Sequence, residues 1–166
     1  NKLDIRYVTT IVKSVIDVIM QNTHHKLDAK PILEHKSTEK FEELSVALAF
    51  YGDGFLGSLN LTSTKKLLYQ LSQKMLHCDL EQINDDMMID VVGELSNQIL
   101  GVVRKALSEF GYSLKATMQT VVVSPKFCQV LSSSGRYYHI PFSYPIDDNP
   151  HKFDLTLCYN TYQTTI

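Results

Sequence analysis

Glu94 and Asn97 stand three residues apart in a stretch whose apolar residues recur with a helical period. At about 100° per residue the two lie about 60° apart and one turn removed in height, so a carboxylate and a carboxamide project side by side from one helix face. The pair sets an ionised acceptor beside a neutral amide that both donates and accepts hydrogen bonds. Gly93 and Gly101 flank it, and Gly101 falls between Glu94 and Asn97 in projection. A glycine inside a helix costs about 0.8 to 1 kcal/mol relative to alanine, so two beside one polar pair call for a reason. Missing side chains would let another surface approach the helix backbone closely. A solvated face whose glycines serve packing within the domain would carry the same residues, and residue types leave both readings open.

The other chemically suggestive groups fare worse. Gly52-x-Gly54-x-x-Gly57 has the spacing of a dinucleotide-binding loop, but that chemistry needs a helix opening directly after the glycines, and here a strand pattern follows. Gly52-Asp53-Gly54 reads instead as a hairpin turn. His24 and His25 are adjacent and lack a Cys or carboxylate at ligand spacing beyond Asp28, so a helix end accounts for them better than a metal site. His77-Cys78 resembles a catalytic dyad only in type, because neighbouring residues rarely face one another. Asp147-Asp148-Asn149-Pro150 lacks the downstream glutamate of a calcium loop and reads as a solvated turn. We expect no metal site. There is no phosphate-binding lysine loop, His-Glu-x-x-His, serine elbow or kinase motif.

The motif helix has clear ends. Asn84 is a plausible N-cap with Asp85 and Asp86 in the first turn, and the pattern runs to Phe110 before stopping at Gly111. Met88, Val92, Leu95, Ile99, Val102 and Ala106 fall within a narrow band and are expected to form its core stripe. Two further helices are expected. One spans Ile5 to Met20, and the other, capped by Ser63 or Thr64, buries Leu67, Leu68, Leu71 and Met75 and ends near His77-Cys78-Asp79. Strands are expected over Lys30 to Glu34, Glu43 to Tyr51 and the paired return through Leu59 and Leu61. Others follow over Leu114 to Val123, over Gln129 to Phe142 with a break at Ser132-Ser133-Ser134-Gly135, and over Phe153 to Tyr159, with a loop from Pro145 to Pro150. This order of elements gives an α/β class of the α+β type, a mainly antiparallel sheet with one long helix and two others.

The chain's 166 residues, 44% apolar and 20% charged, fit one domain over residues 1–166 with a real core. A net charge of -2 provides no electrostatic footprint for nucleic acid or an anionic membrane. Cys78, Cys128 and Cys158, an odd number at wide spacing with no Cys-x-x-Cys pair, make a poor disulfide framework. The apolar N-terminal stretch is interrupted by Lys13 and Asp17, unlike a signal peptide, so the cytoplasm is the expected compartment and neither membrane nor nucleic acid the expected partner.

Val92-Gly93-Glu94-Leu95-Ser96-Asn97-Gln98-Ile99-Leu100-Gly101 resembles the signature helix of the CheX/CheC family of chemotaxis phosphatases: Glu-x-x-Asn, a glycine just before the Glu, another four residues after the Asn. The likeness extends through the N-terminal helix, the segment ending Gly54-Phe55-Leu56-Gly57-Ser58-Leu59, the second helix and Thr120-Val121-Val122-Val123. A single motif resembles the CheX branch rather than CheC-type members, which can carry two. Ala116-Thr117-Met118-Gln119 departs from the family, whose members often place prolines there. The resemblance implies a phosphatase acting on the aspartyl phosphate of a CheY-like receiver. Asn97 would position the attacking water and Glu94 would meet the receiver's lysine, with Gly93, Gln98 and Gly101 in the partner-binding surface. It also implies no cofactor of the chain's own, magnesium held by the receiver, and a homodimer formed through the sheets. The competing expectation is a noncatalytic module with the same helix face that docks a receiver or a flagellar switch component. A small-molecule binding domain is a third, weakened by the lack of visible pocket chemistry.

Overall fold

In helix α1 (Ile5–Thr23) the three- and four-residue spacing of Val8, Ile11, Val15, Val18 and Ile19 buries all five on one stripe. The computed structural model describes residues 5–35, 39–40, 44–52, 55–113, 115–123, 128–129, 136–146 and 149–161. Two short strands follow α1, β1 (Asp28–Ala29) and β2 (Leu33–His35). Of the expected strand from Lys30 to Glu34 only Leu33 and Glu34 are in strand, and Lys30-Pro31-Ile32 instead joins β1 to β2, although the Lys30 amide still donates to the Pro141 carbonyl at 2.8 Å. Strand β3 (Glu39–Lys40) pairs with β7 (Cys128–Gln129) apart from the main sheet.

The main sheet comprises β4 (Leu44–Gly52), β5 (Phe55–Ser63), β6 (Lys115–Val123), β8 (Arg136–Ile146) and β9 (Asn149–Thr161) together with β1 and β2. Its order is β1-β8-β9-β5-β4-β6, with β2 beside β1 on β8, and its pairings are antiparallel. Register aligns Val46, Leu61 and Ile140 along one row, so alternation along β4, β5 and β8 delivers their buried apolar residues to one face. The three helices pack on that face. The β4–β6 register slips between Leu48 and Phe50, opposite the segment Ala116-Thr117-Met118-Gln119.

The expected loop from Pro145 to Pro150 is corrected. Pro145 and Pro150 face each other at the end of the β8–β9 hairpin, and Asn149 also lies in strand. Both prolines lie beyond the stretches where β1 and β5 flank this hairpin, so among the described residues each has a neighbouring strand on one side only, where proline's missing N–H is tolerated. Asp53, Gly54, Leu114, Asp147, Asp148 and residues 130–135 lie outside the described residues, and with them much of the two expected turns and the expected break.

Helix α2 (Lys65–Leu76) starts where the Thr64 hydroxyl accepts from the Leu67 amide at 3.4 Å and ends at His77 in the left-handed region. A short 3-10 turn (Leu80–Gln82) leads to α3 (Asp85–Glu109). Asn84 caps α3, its side chain accepting from the Met87 amide at 2.9 Å. At the other end Gly111 has φ +89°, and the Gly111 and Tyr112 amides donate to the Ser108 and Leu107 carbonyls. This is a closed helix end of the kind that favours glycine. The α3 stripe departs from expectation beyond Ile99. Met88, Val92, Leu95 and Ile99 are buried, but Val102 is 38% exposed and Ala106 only half-buried, while Leu100, Val103 and Leu107 are buried. The buried arc turns about the axis because α3 must contact α1 as well as the sheet along its length. Tyr7 of α1 stacks edge-on against Phe110 and Tyr112, so α1 and α3 run antiparallel, tied at this end by aromatic contacts.

The start of α3 is tied to α2 by Asp85, which accepts from the Tyr69 hydroxyl and pairs with Lys65 Nζ at 3.0 Å. The Tyr69 hydrogen bond first, and Lys65 second, hold the Asp85 carboxyl below its ordinary value of 3.8. Because the folded-state value is lowered, the stabilisation is complete above the unfolded value and disappears as pH falls through the folded one. We expect thermal unfolding of Asp85→Asn to occur at lower temperature than wild type at neutral pH. That small gap should close once pH drops below the ordinary carboxylate range; a gap independent of pH would refute the linkage.

Candidate functional site

The outward face of α3 is built by default: Met88, Val92, Leu95 and Ile99 are drawn into the core, and residues about 120° to 180° around the axis are left to solvent. Ser96, almost wholly buried between Leu95 and Asn97, satisfies its hydroxyl by donating to the Val92 carbonyl at 2.7 Å. Glu94, Asn97 and Gly101 are exposed, and Gly93 and Gln98 are half-buried. The five residues singled out in the sequence thus share one helix segment, with the glutamate and the asparagine on its solvent side.

The two motif side chains are held differently. Glu94 Oε1 accepts from Gln98 Nε2 at 2.9 Å, and Gln98 Oε1 accepts in turn from Asn22 Nδ2 of α1 at 2.7 Å. Asn22 also donates to the Val18 carbonyl at 2.8 Å. Among the described residues the Asn97 carboxamide makes no hydrogen bond, so its donors and acceptor face outward unengaged. A Cβ added at Gly101 would meet nothing within 4 Å, which leaves a gap in the helix surface beside the pair.

The surroundings are polarised along the axis. Toward the start of α3, Met75, Leu76, Met87 and Val91 line an apolar groove together with the carboxylate-bearing Asp90 and Glu94. Toward its end, Gly101, Arg104, Lys105, Ser108 and Ser113 line a polar recess. Among the described residues no group of three His, Cys, Asp or Glu side chains is placed to hold a metal ion, and no helix is long and apolar enough to cross a membrane. His24 and His25 sit exposed at the end of α1, His24 in the left-handed region, and His77 closes α2. Asn22 was missed by sequence reasoning. Nothing in the chain marks a residue 76 positions from Gln98 as its neighbour.

The family model described as "Chemotaxis phosphatase CheX" matches residues 44–143. The fold is similar to that of a CheC-like superfamily protein from Shewanella sp. PV-4, with 22% identity, a TM-score of 0.83 and coverage of 95% of this chain and 99% of that one. It is also similar to a chemotaxis protein CheX from Desulfovibrio desulfuricans, at 22% identity and TM-score 0.80 over 93% and 99% of the two chains. A third similar structure is the CheX-CheY-BeF3-Mg+2 complex from Borrelia burgdorferi, at 14% identity and TM-score 0.75 over 96% and 99%. No curated protein matches the chain.

Proposed function

Since the chain belongs to the CheX family of chemotaxis phosphatases, we propose that it hydrolyses the aspartyl phosphate of a CheY-like receiver by inserting Glu94 and Asn97 into the receiver's active site. The observation that carries this reading is the unengaged Asn97 amide, exposed beside a hydrogen-bonded Glu94 on a helix fixed at both ends. The Asn97 carboxamide oxygen accepts a hydrogen bond from the attacking water and so holds the water oxygen in line with phosphorus. Being neutral, the amide does not repel the phosphoryl oxygens. Phosphoryl transfer demands mostly positioning and electrostatic stabilisation, which a chain without a covalent nucleophile can supply.

Glu94 fixes the register of docking through the receiver's lysine. Gly93, Gln98 and Gly101 form the surface that meets the receiver, with Gly101 leaving room for it. Magnesium belongs to the receiver, where it neutralises phosphoryl charge; a carboxylate and an amide on one exposed face are a poor donor set for it. The same family likeness supports a cytoplasmic protein that pairs with a second copy through its sheet.

Phosphate release from a panel of phosphorylated receivers, with and without the protein, tests the assignment. Acceleration with at least one receiver is expected. Binding without acceleration would identify a noncatalytic docking module for a receiver or a flagellar switch component. Within the phosphatase reading, Glu94→Ala or Glu94→Gln should weaken productive docking by about 1 to 3 kcal/mol, read as a raised KM for the phosphorylated receiver. Unchanged kinetics across receiver concentrations would remove Glu94 from the docking surface.

A further inference from the structure

The hydrogen bonds behind Glu94 have a direction that the carboxylate itself imposes. An ionised carboxylate only accepts, so Gln98 must turn Nε2 toward Glu94 and therefore Oε1 toward α1. The group facing that oxygen must then be a donor, and Asn22 provides one, Nδ2, at 2.7 Å. The second proton on the same nitrogen goes to the Val18 carbonyl, which anchors Asn22 to its own helix. Asn22 is in turn held by the end of α1, where Thr23 is buried and its hydroxyl donates to the Ile19 carbonyl at 2.7 Å.

Resting on the reading of Glu94 as the docking carboxylate, we propose that Asn22 and Gln98 are positioning residues that preset the Glu94 side chain for the receiver. An isolated glutamate on an exposed helix face samples several rotamers, and ordering it at the moment of docking subtracts from affinity. The relay orders Glu94 before the partner arrives. It leaves the second carboxylate oxygen of Glu94 without a partner among the described residues and so open to an incoming ammonium group. It also couples the docking face to α1, an element outside the residues 44–143 that the family match covers. Because the relay acts on docking, its loss affects KM and leaves kcat nearly unchanged.

Two measurements on the full chain test this. In the unbound protein, side-chain coupling constants should report one dominant Glu94 rotamer in wild type and averaging in Asn22→Leu and Gln98→Met. Asn22→Asp keeps the shape but removes the donor, so it should average Glu94 as Asn22→Leu does. With a phosphorylated receiver, Asn22→Leu should raise KM about three- to tenfold, the loss expected for one hydrogen bond, and should have no further effect in a Glu94→Ala background. Equal Asn22→Leu effects in both backgrounds would make Asn22 merely structural, and unchanged Glu94 couplings would overturn the relay. Wild-type protein that accelerates no receiver would instead refute the phosphatase reading, while the couplings still decide the relay.

Discussion

Asn97→Ala should lower receiver dephosphorylation by about 100-fold or more while leaving the fold intact, because a water that loses its positioning group loses its attack geometry. Asn97 is exposed and makes no hydrogen bond among the described residues, and alanine is the better helix former, so thermal unfolding should be unchanged or slightly later. Receiver affinity should also persist, since Glu94 and the relay behind it are untouched. The expected pattern is a kcat effect with KM nearly constant, opposite to that of Glu94→Ala. Near-normal turnover in Asn97→Ala would dismiss Asn97 as the water-positioning group.

Gly101→Leu should abolish phosphatase activity without weakening the protein. Glycine inside α3 costs about 0.8 to 1 kcal/mol relative to alanine, and leucine is nearly as good a helix former as alanine. Under the proposed function the absent side chain serves docking. Packing within the domain is not the beneficiary: Gly101 is exposed, and a Cβ there would touch nothing within 4 Å. A leucine side chain would instead project into the space beside Glu94 and Asn97 that a receiver occupies under the proposed function. Thermal unfolding should therefore occur at equal or higher temperature, while receiver binding and phosphate release fall together. Retained activity in Gly101→Leu would show that the gap has no part in recognition.

The motif face needed no coordinates to be found. Asn84 as a cap, Asp85 and Asp86 in the first turn and Gly111 as a stop act within a turn of the residues they affect, so the sequence carried both ends of α3. The same locality made the side of Glu94, Asn97 and Gly101 legible, because helical rotation over a few residues is nearly invariant. The two hairpin strands β4 and β5 were equally readable, their alternation matching the observed register of Val46 with Leu61.

What the tertiary structure decided lies between elements. Extrapolating one stripe from Met88 to Ala106 failed at Val102, since the buried arc follows the neighbours of α3 rather than an ideal period. Pro145 and Pro150 read as breakers because proline's local effect is disruptive, yet at this hairpin end each pairs with a strand on one side only among the described residues, which removes the penalty. Gly101's open surroundings and the Asn22-Gln98-Glu94 relay depend on how α1 is laid against α3. Local rules place a side chain on its own helix, but only the packing of two helices decides which distant amide comes to hold it.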